Sequence, residues 1–187
     1  MKQYRNAERT KKWIRKAFIE LIAEKKTIDK ITVSELSARA DITKTTFYYH
    51  YDDIYAVAEE FENELIAMLN DTLDEINKET PIDYSEYIRK TLDFIKANEE
   101  SYRLAVKATD LNFFATKLKN VFSKKIADMA ATWGFSTDYD KRRVQVYFLV
   151  SACADTVIQY LKGDLTSSID TVGEVITEAI DKLKGDD

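Results

Sequence analysis

The side chains best suited to chemistry in this chain are crowded into one short run, Thr43-Lys44-Thr45-Thr46-Phe47-Tyr48-Tyr49-His50-Tyr51. Hydroxyls and one ammonium dominate it, and no carboxylate interrupts it. Such a set suits a polyanion. Threonine hydroxyls bond to base edges or phosphates, and a threonine methyl packs on a thymine methyl. Lys44 reaches a guanine edge or a phosphate, and Tyr48, Tyr49 and His50 close the run where phosphate contacts fit. Catalysis has far less to work with. His50 and Cys153 are the only histidine and cysteine in 187 residues, and they stand far apart. No glycine-rich phosphate loop and no metal-ligand spacing is present. Carboxylates are plentiful, but nothing singles out an acid/base pair. The chain reads as a binding protein rather than an enzyme, with no catalytic residue, metal or cofactor expected.

Local signals show what must hold that run in place. Residues 6–26 read as an amphipathic helix, with Ile14, Ala17, Phe18, Leu21 and Ile22 at helical spacing. Thr32 is an N-cap candidate, and Glu35 three residues on completes a capping box. The helix it starts buries Val33, Leu36 and Ala40 and stops near Asp41, a residue type that tolerates the left-handed conformation. Thr43 then caps a third helix, whose inward side is Ile42, Phe47 and Tyr51. Two short helices and a tight turn make a helix-turn-helix, whose second helix enters the major groove. Thr32 and Ser34 join Thr43, Lys44, Thr45, Thr46, Tyr48, Tyr49 and His50 as candidate DNA contacts.

Charge agrees with that placement. Residues 1–51 carry 12 Lys/Arg against 6 Asp/Glu, whereas residues 52–187 carry 16 against 27. A basic head on an acidic body directs only the head to a polyanion. Arg5, Arg9, Lys11, Lys12, Arg15 and Lys16 precede the motif and are placed to flank the same backbone. Four glycines and one proline argue against an all-β fold, and 45% apolar residues suffice for a sizeable core. Further helices are expected at 53–78, 84–97, 99–108, 111–132, 138–162 and 165–184, nine in all. Breaks fall at residues 80–83, 98, 109–110, 133–134 and 162–163. The fold class is all-α. A lone cysteine suits a reducing compartment. The polar start does not read as a signal peptide, and uninterrupted apolar runs such as 146–150 are too short to span a membrane. The expected location is cytoplasmic.

The run Ala40-Asp41-Ile42-Thr43-Lys44-Thr45-Thr46-Phe47-Tyr48-Tyr49-His50-Tyr51, between a helix and a long helix, resembles the DNA-binding domain of TetR-type (tetracycline-repressor-type) transcriptional regulators. The likeness covers about the first 55 residues. The variant Thr46-Phe47-Tyr48-Tyr49-His50-Tyr51-Asp52-Asp53-Ile54-Tyr55 resembles a subgroup that includes regulators and coactivators of dihydroxyacetone kinase operons. The run 94–103 is similar to that subgroup's C-terminal domain. Asp41 replaces the usual turn glycine and Thr45 a frequent small residue. Asp52 and Asp53 stand where the family often has a phosphate-binding lysine.

The resemblance implies a head at 1–52 and a ligand-binding, dimerising body at 53–187. It also implies a double-stranded operator, a small-molecule effector of unknown identity, and a homodimer. The residues supply candidates of their own. Val144, Tyr147, Phe148, Ser151, Ala154, Val157, Ile158 and Leu161 recur at helical spacing within 138–162. Ile169, Val172, Val175, Ile176, Ala179, Ile180 and Leu183 do so within 165–184. Small residues here allow close helix approach, so these two helices are the expected dimer interface. Pocket candidates are Phe61, Leu65, Phe94, Tyr102, Phe113, Tyr147 and Phe148, with Tyr87, Phe114 and Phe122 as further aromatics. The acidic run Glu59, Glu60, Glu62 and Glu64 reads as a solvated helix face. The functional expectation is a ligand-responsive repressor, with a coactivator acting through a protein partner as the alternative.

Overall fold

The computed structural model describes residues 2–78, 83–108, 111–127 and 129–183, with side chains described for all of these except 2–6 and 111–113. Nine α-helices and one 3-10 turn are present among the described residues, and no strand. The helices are α1 (Lys2–Lys25), α2 (Val33–Arg39), α3 (Lys44–His50), α4 (Ile54–Asn77), α5 (Tyr84–Ala97), α6 (Glu99–Ala108), α7 (Leu111–Ala127), α8 (Tyr139–Lys162) and α9 (Ile169–Leu183). The expected breaks at 80–82 and 109–110 lie outside the described residues.

The first helix buries the stripe the sequence marks, with Ile14, Ala17, Phe18, Leu21 and Ile22 all enclosed. That stripe packs on α2, α3, α4 and α6. Phe18 meets Phe61 of α4 edge-on, with ring centroids 6.2 Å apart. The rim of the α1–α4 contact is ionic. Lys11 reaches Glu60 at 2.8 Å, and Arg15 pairs with Glu64. Two cations expected near DNA are thus taken up by α4, and two members of its acidic run are taken up by α1. A third, Glu62, is almost wholly buried and pairs with Lys117 of α7 at 3.2 Å. Only Glu59 of the four fits a solvated face.

Three helix ends depart from the sequence reading, the first being that of α1, which starts at Lys2 rather than at residue 6. The seventh helix ends at Ala127, and residues 129–134 form tight turns. Trp133 and Phe135 are drawn into the core there, Trp133 lying 5.2 Å from the Tyr87 ring. The ninth helix starts at Ile169 rather than 165. Ser168 accepts from the Thr171 N–H at 3.0 Å and supplies the cap, while Leu165 N–H still bonds back to Gln159 of α8.

By length and composition α8 is apolar enough to cross a membrane, which the short uninterrupted runs do not suggest. The structure gives another cause for its composition. Val146, Leu149, Val150, Val157 and Leu161 face the core, while Val144, Tyr147 and Phe148 face outward. Two apolar faces on one helix raise its hydropathy to that of a span.

Candidate nucleic-acid interface and interior cavity

The geometry of the head begins with its caps. Thr32 accepts from the Glu35 N–H at 3.3 Å, and the Glu35 carboxylate takes the Thr32 N–H and the Lys25 ammonium. These bonds hold that carboxyl below its ordinary range, Lys25 acting most strongly. The second helix then ends in a Schellman motif. Ile42 N–H bonds to Ser37 O at 3.0 Å and Asp41 N–H to Ala38 O at 3.2 Å. Asp41 makes this possible by adopting φ +54°, the left-handed conformation that glycine usually supplies. The glycine departure therefore leaves the turn intact.

The turn delivers α3 with its inner face docked. Phe47 is fully buried and Tyr51 nearly so, their rings 5.9 Å apart. Thr43 caps α3 by accepting from the Thr46 N–H at 3.1 Å, and the two threonine hydroxyls sit 2.9 Å apart. Thr46 is half-buried, so this pair is partly committed to the helix start. Lys44, Thr45, Tyr48 and Tyr49 are exposed, Tyr49 by 75%. His50 is half-buried against the Tyr49 ring at 5.1 Å. Thr32 and Ser34 lie exposed at the start of α2. The nine candidate DNA contacts thus fall on α2, α3 and their caps.

One residue beside them escapes a sequence reading. Trp13 is 44% exposed on α1 and shares a cleft with Ala38, Asp41, Ile42, Thr43 and Thr46. The Arg9 guanidinium stacks 4.9 Å from its ring. An aromatic off the apolar stripe, with Arg9 and Lys16 one turn away on either side, was the available signal. Elsewhere in the head charge is spent internally: Arg39 grips Glu24 at 2.8 and 3.0 Å and holds its carboxyl below the usual range. Asp53 also has a structural duty, capping α4 by accepting from the Ala56 N–H at 2.8 Å. Asp52 is exposed immediately after α3.

In the body, α5 to α9 enclose a cavity of about 80 Å³. Tyr87, Leu92, Tyr102, Trp133, Val150 and Ile176 are among its walls. Of the preferred pocket candidates whose side chains are described, Tyr102 is the one that lines it. Phe61 and Leu65 are buried elsewhere in the core, and Phe94 packs on Tyr102 from outside the wall. Tyr147 and Phe148 are 72% and 61% exposed, so they do not face this cavity. Phe113 lies outside the described side chains. Of the further aromatics, Tyr87 and Phe122 do line the cavity, and Phe114 is buried beside Tyr102. The helical period assigns a face to each aromatic, but α8 has two apolar faces, and the period does not say which one is inward.

A family match to the body is independent of the head motif. Residues 83–182, more than half of the chain, match a family profile of the TetR class described as a transcriptional regulator C-terminal region. The chain belongs to the TetR family of transcriptional regulators. Proteins of this family regulate transcription and are not enzymes. No curated protein matches the chain. Solved structures share its fold at low identity. A TetR transcriptional regulator from Streptococcus agalactiae superposes with a TM-score of 0.72 at 18% identity, covering 99% of each chain. NalD, the secondary repressor of the MexAB-OprM multidrug efflux pump in Pseudomonas aeruginosa, gives 0.67 at 16% identity, over 96% of this chain and 98% of its own. The dihydroxyacetone kinase operon activator DhaS gives 0.64 at 19% identity, over 92% of this chain and 94% of its own.

Proposed function

We propose that this TetR-family chain binds an operator in double-stranded DNA through α3, as a homodimer, and represses transcription until an effector enters the body. The observation that carries this reading is the presentation of α3. Its inner face is locked by Phe47 and Tyr51, while Lys44, Thr45, Tyr48 and Tyr49 stand free on its outer face. A short helix held this way is suited to a major groove. On this reading residues 1–52 form the DNA-binding unit and 53–187 the effector and dimer unit, in the cytoplasm.

The dimer is supported by the outer faces of α8 and α9. Val144, Tyr147, Phe148 and Val175 are each more than half exposed. An isologous pairing of these helices buries them and presents two α3 helices to half-sites about 34–36 Å apart on a palindrome. The switch follows from packing. Tyr102 of α6 lines the cavity, and α6 and α4 both pack on α1. A molecule that prefers one arrangement of α6 also selects one spacing of the heads.

A gel-shift against the DNA upstream of its own gene tests the reading. Tight binding by the wild type, lost in the Lys44→Ala/Thr45→Ala variant at unchanged melting temperature, is expected. Absence of binding to that DNA and to neighbouring promoters at low salt would sink direct repression. A coactivator acting through a protein partner is the second reading, and exposed Asp52 beside α3 favours it by repelling phosphate.

A further inference from the structure

The cations of α1 divide into two sets. Lys11 and Arg15 are taken up by Glu60 and Glu64 of α4. Arg9, Lys12 and Lys16 are exposed, and among the described residues no carboxylate makes an ion pair with them. Spaced three and four residues apart, they share one face of the helix, away from its buried stripe. Glu8 and Glu20 border this face, and Glu20 pairs with Arg39 instead, at 3.4 Å. Trp13 stands among the three cations. It is 44% exposed, and among the described residues its indole N–H has no acceptor. The Arg9 guanidinium, 4.9 Å from the ring, steadies it.

Trp13 also joins this face to the start of α3. It shares one cleft with Thr43 and Thr46 and a second with Lys16 and Arg39. The start of a recognition helix is the part that meets base edges in the major groove. That groove is about 12 Å wide and 8.5 Å deep, so a sugar-phosphate wall rises beside a helix inserted in it. The cleft beside Thr43 and Thr46 is open to such a wall. We infer that α1 is a second DNA-contacting element: the Trp13 indole packs on a deoxyribose and donates to a phosphate at the edge of the half-site, and Arg9, Lys12 and Lys16 neutralise phosphates along the same strand. This rests on the operator reading above and extends it beyond the helix-turn-helix. Phosphate suits both a free indole N–H and three unpaired cations. An apolar protein face laid here would desolvate those cations without pairing them. Contacts of this kind fix position on the duplex and carry no base sequence.

Acrylamide quenching of the full chain reads the contact directly, because Trp13 is exposed and Trp133, the other tryptophan, is only 6% exposed. A saturating duplex of the upstream DNA should abolish most of the quenchable emission, and Trp13→Phe should abolish the same emission in the free chain. Trp13→Ala should weaken binding about two- to tenfold, alike for upstream and unrelated duplexes, at an unchanged salt slope. Arg9→Gln/Lys12→Gln/Lys16→Gln should flatten that slope by about two to three units at an unchanged melting temperature. Trp13 as quenchable in the saturated complex as in the free chain, or a slope that the triple change moves by less than about half a unit, would overturn the inference. Operator binding and the α1 contact fail in different ways. A wild type that binds no duplex at low salt refutes the operator reading and the α1 contact with it. DNA binding that needs Lys44 and Thr45 while Trp13 stays quenchable refutes the α1 contact alone.

Discussion

Two helices of this chain leave aromatic rings in solvent, and their neighbours give those rings opposite meanings. On α3, Tyr48 and Tyr49 stand beside Lys44 and Thr45, over a buried Phe47. On α8, Tyr147 and Phe148 stand beside Val144 and near Ala152, over a buried Leu149 and Val150. The first face offers hydroxyls and positive charge around its rings, which suits phosphate and base edges. The second offers apolar surface around its rings, which suits another protein face. Exposure of an aromatic side chain therefore says little until the groups beside it are counted.

The sharpest way to break the comparison is to charge the α8 face. Tyr147→Glu/Phe148→Glu should leave the chain monomeric by analytical ultracentrifugation and weaken operator binding by at least about a hundredfold, because a half-site alone is then read. A dimer that survives this change would mean that α8 has another partner. On the α3 face the expected effect is smaller. Lys44→Ala or Tyr48→Ala should each cost about 1–3 kcal/mol of operator binding in an anisotropy titration, with the dimer unchanged. A third pair of substitutions separates two neighbouring aspartates. Asp53→Ala removes the α4 cap and should lower stability by about 1 kcal/mol in urea unfolding. Asp52→Lys should leave stability within about 0.5 kcal/mol and steepen the salt dependence of DNA binding by roughly one unit. The smallest expected effect is in the turn. Asp41→Gly relieves a left-handed aspartate but loosens the unfolded chain, so a change within about 1 kcal/mol is expected, with DNA affinity preserved.

How much of this was legible in the sequence depends on how local each signal is. The caps at Thr32 and Thr43 act over three residues, so the head can be read from short spacings, whereas the equally local cap at Asp53 was not read. The Asp41 turn was equally local, and its left-handed φ is one that an aspartate tolerates. The body is different in kind. Its cavity is assembled from helices spread over about a hundred residues, and no short spacing encodes which faces converge. The two-faced composition of α8 defeats periodicity outright, since residues 146–150 supply core and surface alike. Trp133 was hidden for a related reason: the sequence places it at the break at 133–134, and no local signal there says that the break folds back into the cavity. The ends of α7 and α9 moved because tertiary burial of Trp133 and a serine cap at Ser168 outweigh helix propensity.

The central claim is that α3 of a homodimer reads DNA, and stoichiometric titration of the upstream DNA at two salt concentrations tests it most directly. Two chains per site are expected, with affinity falling by about 10³–10⁵ between 50 and 200 mM salt if six to ten phosphates are contacted. One chain per site, or no binding at 50 mM salt, would contradict it.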